Sequence, residues 1–403
     1  MINWRIVFVL FCAGALNYGD RTAVSSVLPL LSKDLGMSDV ALGSIGTFFL
    51  WSYAIGSPFA GRLADRRSRS RLVVWSLAGW SLVMIVSGFA QSSSQFLATR
   101  VLLGLAECAY LPAALALIAD HHPVSTRATA MGVHLAGLNF GLIFGGTLAG
   151  WLGDRFGWRP SFLILGVAGL VLAVVALRVL RDATTPESAG PPPPTREALA
   201  KLAAQPAYVV VVLEAMVVSV GTWMFFNWLP LYYKEAFNMS LAGAGFSGTA
   251  ILQVAAVIGV TCGGILSDRV ARGGLARRML SQALFYLAAA PFLLAFSGSP
   301  GYGLISGCIF SFNLLRALGQ ANEIPILCDV LPTGLRSTAI ALMNTANCFA
   351  GGIGSLAAGY LKQDYGLGGV FSGIFVAMLV ACVLLLLGYF RFLDRGKITP
   401  TLL

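Results

Sequence analysis

Apolar runs of about 20 residues recur along the chain, each long enough to cross a bilayer as a helix. Twelve are visible, near 5–31, 40–61, 72–91, 95–119, 126–150, 159–180, 207–233, 241–267, 276–297, 301–328, 335–361 and 367–391. Short polar stretches separate them. One interval is different. Residues 182–205, DATTPESAGPPPPTREALAKLAAQ, are polar and proline-rich and mark a linker. Within it, Thr195 to Gln205 has the pattern of a short amphipathic helix on the membrane surface. The chain thus divides into a six-span half at 1–181, the linker at 182–205 and a second six-span half at 206–403. Met1 to Leu16 is apolar, but its run continues past Asp20 to Leu31, so it reads as a first span rather than a cleavable signal. The pattern predicts an all-α membrane protein of twelve transmembrane helices in two six-helix bundles.

Composition removes the alternatives. Hydrophobic residues make up 57% of the 403 and charged residues 11%, against roughly 25% charged in soluble chains. Soluble, fibrous and disordered classes are excluded. The seven cysteines sit in or beside apolar runs without a CxxC spacing and read as small buried hydrophobes, not a disulfide or metal framework. His121 and His122 are neighbours in a loop and make no metal site. No metal and no cofactor is expected.

The net charge of +10 follows topology. With both termini cytoplasmic, 19 of the 27 Lys and Arg residues fall in inner segments and five in outer ones. The other three, Arg21, Arg100 and Arg316, lie inside spans. This positive-inside asymmetry fixes the orientation and explains the basic charge without nucleic acid. The expected location is a bacterial inner membrane, with the chain working as a monomer.

The halves echo each other. Residues 127–157 and 336–366 match without a gap at 9 of 31 positions, an offset of 209. The same offset sets Asp120-His-His-Pro123 over Asp329-Val-Leu-Pro332. A second echo pairs Gly61-Arg-Leu-Ala-Asp65-Arg66 with Gly264-Ile-Leu-Ser-Asp268-Arg269. Recurring polar residues at fixed spacing indicate duplication rather than the chance likeness of apolar helices.

The loop GRLADRRSRSR at 61–71 resembles the signature of the major facilitator superfamily between spans 2 and 3, with a degenerate copy at 264–272. Arg100-x-x-x-Gly104 resembles its span 4 signature. The resemblance implies two pseudo-symmetric bundles that alternate access to a central cavity. Asp65, Arg66, Asp268 and Arg269 would then gate, with Asp65 holding a helix end in one state and releasing it in the other.

Ionisable residues at membrane depth are costly unless paired or wet. The candidates are Asp20, Arg21, Arg100, Glu107, Glu214, Arg316, Glu323 and His134. Arg100 and Glu107 are two turns apart on one helix face. Arg316 aligns with Glu107 under the 209 offset. Two acids and two bases on spans 1 and 4 exceed what packing needs. Glu214, near the start of span 7, and His134 fit structural roles better.

Asn17-Tyr18-Gly19-Asp20-Arg21, Arg100-x-x-x-Gly104-x-x-Glu107 and Asn227-Trp-Leu-Pro-Leu-Tyr232 resemble the anion:cation symporters of sugar acids and hexuronates. That resemblance implies proton-coupled uptake of a small organic anion. Asp20 and Glu107 would carry protons, with Glu323 a further proton site. Arg21 and Arg100 would meet the substrate carboxylate. Tyr18, Tyr53, Trp223, Asn227, Arg316, Asn344 and Asn347 would complete the substrate site. Leu138 stands where those symporters carry glutamine, with Asn139 adjacent. The Asn-Tyr-x-Asp-Arg and Arg-x6-Glu patterns also resemble spinster-type lipid transporters, the alternative reading.

The residues themselves support an anion. A guanidinium offers a fixed fork of donors that grips a carboxylate at two points. A proton on Asp20 or Glu107 would release an arginine from internal pairing to take the substrate. The same acids would also suit export of a cation. An intramembrane enzyme would need a nucleophile–base or metal constellation, and the spacing of the three histidines provides none. A carrier also explains the loop at 61–71 better than a receptor or channel does.

Overall fold

The structure is a computed structural model that describes residues 4–66, 68–182, 195–270, 274–298 and 300–393. Within these ranges a few side chains fall outside the description. Among them are Asp65 and Arg66, so the gating expected of that pair lies outside the described residues.

Among the described residues every regular element is helical. They are α1 (Trp4–Ser26), α2 (Leu28–Leu35), α3 (Asp39–Arg66), α4 (Arg69–Gly88), α5 (Ser93–Glu107), α6 (Tyr110–His121), α7 (Val124–Phe156) and α8 (Arg159–Val179). The second half contains α9 (Thr195–Ala203), α10 (Pro206–Phe237), α11 (Leu241–Val270), α12 (Gly274–Ala289), α13 (Tyr302–Gln320), α14 (Glu323–Val330) and α15 (Thr333–Leu393). A 3₁₀ segment, Ala290–Ser297, extends α12. Ten helical stretches among the described residues are long and apolar enough to cross a membrane. The last of them, Thr338–Arg391, holds two spans divided at Gly366, whose φ of 62° and ψ of 170° break the helix. A left-handed φ is open to glycine at little steric cost. The stretch α1, which carries Asn17, Asp20 and Arg21, is not among the ten. Large apolar side chains such as Phe8, Trp75, Val171 and Leu387 lie exposed on the outside, as a lipid-facing surface requires.

The chain resolves into two compact units. One comprises Met1–Ser188, Trp223–Ala250 and Ser355–Asp364; the other comprises Ala189–Thr222, Ile251–Gly354 and Tyr365–Leu403. In the first unit α1 and α7 run side by side along a glycine seam. A Cβ on Gly141 would lie 2.0 Å from the Ala15 carbonyl oxygen, and one on Gly145 would lie 2.3 Å from Gly19 Cα. Without a hydrophobic drive between helices in lipid, such small-residue seams bring backbones together. The seam fixes the height of Asp20 and Arg21.

At the end of this unit where α1 finishes, segments from both sequence halves interlock. The Asp154 carboxylate, at the end of α7, accepts the backbone N–H groups of Leu241 (2.9 Å) and Ala242 (3.0 Å) at the start of α11. Lys362 bridges Asp39 (2.9 Å) and Glu235 (3.0 Å). Asn227 Nδ2 donates to Ser355 Oγ (2.9 Å), which donates to the Gly43 carbonyl (2.8 Å).

Candidate functional site

The first cluster is built on α1, α3 and α5 within the first unit. Arg21 donates from Nε (3.1 Å) and from a terminal nitrogen (2.8 Å) to Glu107 Oε2. The same terminal nitrogen reaches Asn17 Oδ1 at 3.2 Å, one turn back on α1. Three rings surround the guanidinium. Its carbon lies 4.4 Å from the centroid of Tyr18, 4.8 Å from Phe49 and 5.3 Å from Tyr53. Cation–π attraction strengthens as such a cage dries. Gly104 lets α5 approach α3, since a Cβ there would fall 2.4 Å from the Phe49 carbonyl oxygen. That approach brings Glu107 to the rings. Glu107 and Asp20 are each 1% exposed, and one oxygen of each, Glu107 Oε1 and Asp20 Oδ1, lacks a hydrogen-bond partner.

Arg100 is placed differently from Arg21. It donates to Ser87 Oγ and to Thr99 Oγ1 (3.3 Å) and lies over Phe96 (4.7 Å) and Phe162 (5.5 Å). It is 1% exposed, wedged among α4, α5 and α8. The structure therefore pairs Glu107 with Arg21, although Arg100 is its neighbour two turns away on the same helix.

His134 Nδ1 faces the Leu10 carbonyl at 3.0 Å, and Tyr110 donates to that same carbonyl at 2.8 Å. This ties α7 and α6 to α1 at a fully buried point. Trp223 stacks edge-on with Phe226, and Asn227 is engaged with Ser355.

The second unit holds its own polar cluster. Arg316, on α13, donates to Asn313 Oδ1 (2.9 Å) and Gln320 Oε1 (2.6 Å). Gln282 Nε2, on α12, reaches Glu214 Oε2 on α10 (3.2 Å) and the Tyr286 hydroxyl (3.1 Å). Tyr286 donates to Glu323 Oε1 at 3.4 Å. Asn347, half-buried on α15, accepts Ser219 Oγ at its carbonyl (2.7 Å), while its Oδ1 has no hydrogen-bond partner. Asn344 is exposed, as are Asp268 and Arg269.

Sequence reading missed several pairings, and one had a visible signal. Arg69 bonds Asp120 at 2.6 Å, and Arg278 lies 3.1 Å from Asp329. Both members of the second pair are 209 residues beyond the first. Likewise Arg127 Nε donates to the His122 carbonyl (3.3 Å) and Arg336 Nε to the Leu331 carbonyl (3.0 Å), again 209 apart. The duplication extends to individual contacts. Gln282 and Tyr286 carried no such signal, since a glutamine and a tyrosine in an apolar helix read as neutral fillers.

Comparison with known proteins agrees with this architecture. A probable galactarate/D-glucarate transporter of Escherichia coli (strain K12) is 25% identical over 96% of this chain and 92% of its own. A chloroplastic probable anion transporter of Oryza sativa subsp. japonica is 24% identical over 90% of this chain and 74% of its own. The crystal structure of a bacterial homologue of the human lysosomal transporter spinster, inward-facing and occupied, superposes with a TM-score of 0.85. At 18% identity, with 98% of both chains covered, it shares the fold. The Major Facilitator Superfamily profile matches residues 10–355. The repeated halves, the all-helical fold and this match agree: the chain belongs to the major facilitator superfamily.

Proposed function

We propose that this transporter is a proton-coupled symporter of a small organic anion, a carboxylate or sugar acid, working by alternating access. The observation that carries the reading is the Arg21–Glu107 pair inside its ring of Tyr18, Phe49 and Tyr53. A buried guanidinium must keep an anionic or strongly polar partner. Here that partner is a carboxylate, which a proton can neutralise.

A proton on Glu107 weakens its hold on Arg21 and leaves the donor fork open. A substrate carboxylate then takes the two contacts that Glu107 Oε2 held. Asp20, adjacent on α1 and with Oδ1 unpartnered, is the second proton carrier of this centre. Tyr18 and Tyr53 flank the incoming anion. Asn347, with its free Oδ1, is the candidate in the second half for the hydroxyls of a sugar acid. Arg100 hydrogen-bonds neutral groups and lies over two rings, with the charges of Asp20 and Glu107 also acting on it, and it supports the bundle rather than the substrate.

Relatives named for galactarate, D-glucarate and anions support the substrate class. The basic inner segments support cytoplasmic termini in a bacterial inner membrane, with residues 1–181 and 206–403 as the moving halves and 182–205 between them.

The test is transport by the purified protein in lipid vesicles. An acidic exterior should drive glucarate or galactarate above equilibrium, and added substrate should carry protons inward. Uptake indifferent to the pH gradient across a panel of sugar acids and simple carboxylates, with no substrate-driven proton flux, would reject the reading.

A further inference from the structure

The second-unit cluster is more than a structural network. Glu214 is fully buried and Glu323 is 5% exposed. Two carboxylates joined through Gln282 and Tyr286 in a membrane core require compensation if both are charged. No ion pair within 4.0 Å joins either acid to a cation among the described residues. Arg316, the charged group facing them from α13, donates its hydrogen bonds to Asn313 and Gln320, both neutral. Arg278, one turn from Gln282 on α12, is engaged by Asp329 and Ser267. The remaining titratable neighbour is Tyr286 itself.

The bonding shows which acid lacks support. Glu323 opens α14, immediately after the break at Ala321–Asn322 that ends α13. The N–H groups of a helix N-terminus favour a negative charge there, and Tyr286 adds a donor. Glu214 lies inside the continuous helix α10, away from any helix end, and is supported by the Gln282 amide and the nearby Tyr286 hydroxyl. Two acceptor oxygens of this cluster, Glu214 Oε1 and Gln282 Oε1, are buried without a donor. A carboxylate and an amide oxygen are acceptors only, whereas a protonated carboxyl also donates.

The approach of α12 to α13 is built in. A Cβ on Gly319 would lie 2.9 Å from the Tyr286 ring and 3.2 Å from the Gln282 carbonyl. Glycine at 319 therefore seats both bridging residues beside the helix break.

From this arrangement we infer that Glu214, Gln282, Tyr286 and Glu323 form a second proton-binding site, separate from Asp20 and Glu107, which carries one further proton per substrate. The proton is held on Glu214, bridged by Gln282 and Tyr286 to Glu323. It comes from the water on the uptake side and leaves to the water on the other, so Glu214 cycles between neutral acid and carboxylate with no other bond made or broken. The stoichiometric part of the inference rests on the proton-coupled reading above; the binding part does not.

Two measurements separate these parts. Infrared difference spectra of the reconstituted protein between acidic and alkaline pH should contain a buried carboxylic C=O band that shifts in heavy water. Glu214→Gln should delete it. Gln282→Leu, which keeps the acid and removes its donor, should move it. A band unchanged in both variants overturns the site, whatever the transport result.

In vesicles with the membrane voltage clamped at zero, one pH unit should sustain an accumulation ratio about tenfold lower in Glu214→Gln than in wild type, since each proton contributes one factor of ten per unit. A pH-insensitive wild type would sink the symport reading alone. A coupled wild type with the same ratio in Glu214→Gln would overturn the second transported proton. A gradient of sodium that replaces the proton gradient and binds at this cluster would overturn the identity of the ion.

Discussion

Arg21 is held by three kinds of contact at once: two hydrogen bonds to one carboxylate oxygen, one to Asn17, and the faces of Tyr18, Phe49 and Tyr53. A lysine offers a compact charge without the planar fork and cannot reproduce them. Arg21→Lys should therefore abolish saturable substrate binding while keeping the positive charge, as measured by isothermal titration or substrate-induced thermal shift. Binding at wild-type affinity would make Arg21 a structural cation only. Arg100→Met tests the opposite assignment. Its hydrogen bonds go to neutral groups, so an apolar side chain of similar length should leave substrate affinity within about twofold, while loss of its charge near the buried acids Asp20 and Glu107 should lower stability by roughly 3 kcal/mol or more. A large loss of affinity would return Arg100 to the substrate site.

Glu107→Gln separates exchange from coupling. Glutamine mimics the protonated acid, so the variant should retain counterflow exchange yet lose accumulation driven by a pH gradient. Exchange needs only the loaded carrier to reorient, whereas net uptake also needs the empty carrier to return after releasing its proton. Retained gradient-driven accumulation would move the coupling to Asp20 or to the Glu214–Glu323 cluster.

Asp182 lies outside the spans and belongs to another pH range. Burial acts to raise its pKa, but hydrogen bonds from Ser68 and from Ser70, with the charge of Arg69, outweigh it and hold the carboxyl below its usual range. A depressed folded pKa contributes stability above the unfolded value, about 4, which is lost as the pH falls further. Between about pH 5 and 8 the stability difference between wild type and Asp182→Asn should therefore be constant. A dependence near neutrality in denaturation curves would contradict this assignment.

At the scale of elements, the first unit depends on close helix approaches and on a cap. Gly141→Val would drive side-chain atoms into the Ala15 backbone. Overpacking of this kind costs typically 1–3 kcal/mol and displaces α1, which carries Asp20 and Arg21. Asp154 gives α11 the carboxylate that satisfies two of its first N–H groups. Capping is worth about 1 kcal/mol, a several-fold change in any equilibrium that breaks it. Asp154→Ala should shift the carrier toward states in which this end is open, read as faster thiol labelling of a cysteine placed near Ser240. Unchanged labelling would leave Asp154 as a cap alone. Asn227 bonds at the same end of this unit, so its polar group, which the family resemblance assigns to substrate, is occupied here by Ser355.

At the scale of the whole molecule, the fold was legible because the bilayer imposes it. Unsatisfied backbone groups are intolerable in lipid, so apolar runs of spanning length are helices. The central pairing was only half legible. Asp20, Arg21 and Glu107 stand out as charges in apolar runs, but spacing along α5 suggests Arg100 beside Glu107, whereas tertiary contact between α1 and α5 selects Arg21. A helix face specifies neighbours on the same helix and not which neighbouring helix supplies the partner. Gln282 and Tyr286 were invisible for a related reason, since their meaning comes from the two acids that two other helices, α10 and α14, bring to them.

The repeated ion pairs provide a test of the halves as mechanical units. Arg69–Asp120 and Arg278–Asp329 occupy equivalent positions 209 residues apart, each wholly within one compact unit. All four side chains keep some exposure, from 9% at Arg278 to 45% at Asp329. Each pair should therefore contribute about 1 kcal/mol or less, far from the worth of a fully buried pair. Among the described residues the two pairs share no partner. If each half is an independent body, Asp120→Asn and Asp329→Asn should each lower stability in chemical denaturation, and the double variant should lose the sum within about 0.5 kcal/mol. Substrate exchange should persist in all three, because neither pair bridges the units. A double variant losing much more or less than the sum would mean that the pairs communicate, and that the halves do not move as separate rigid bodies during the cycle.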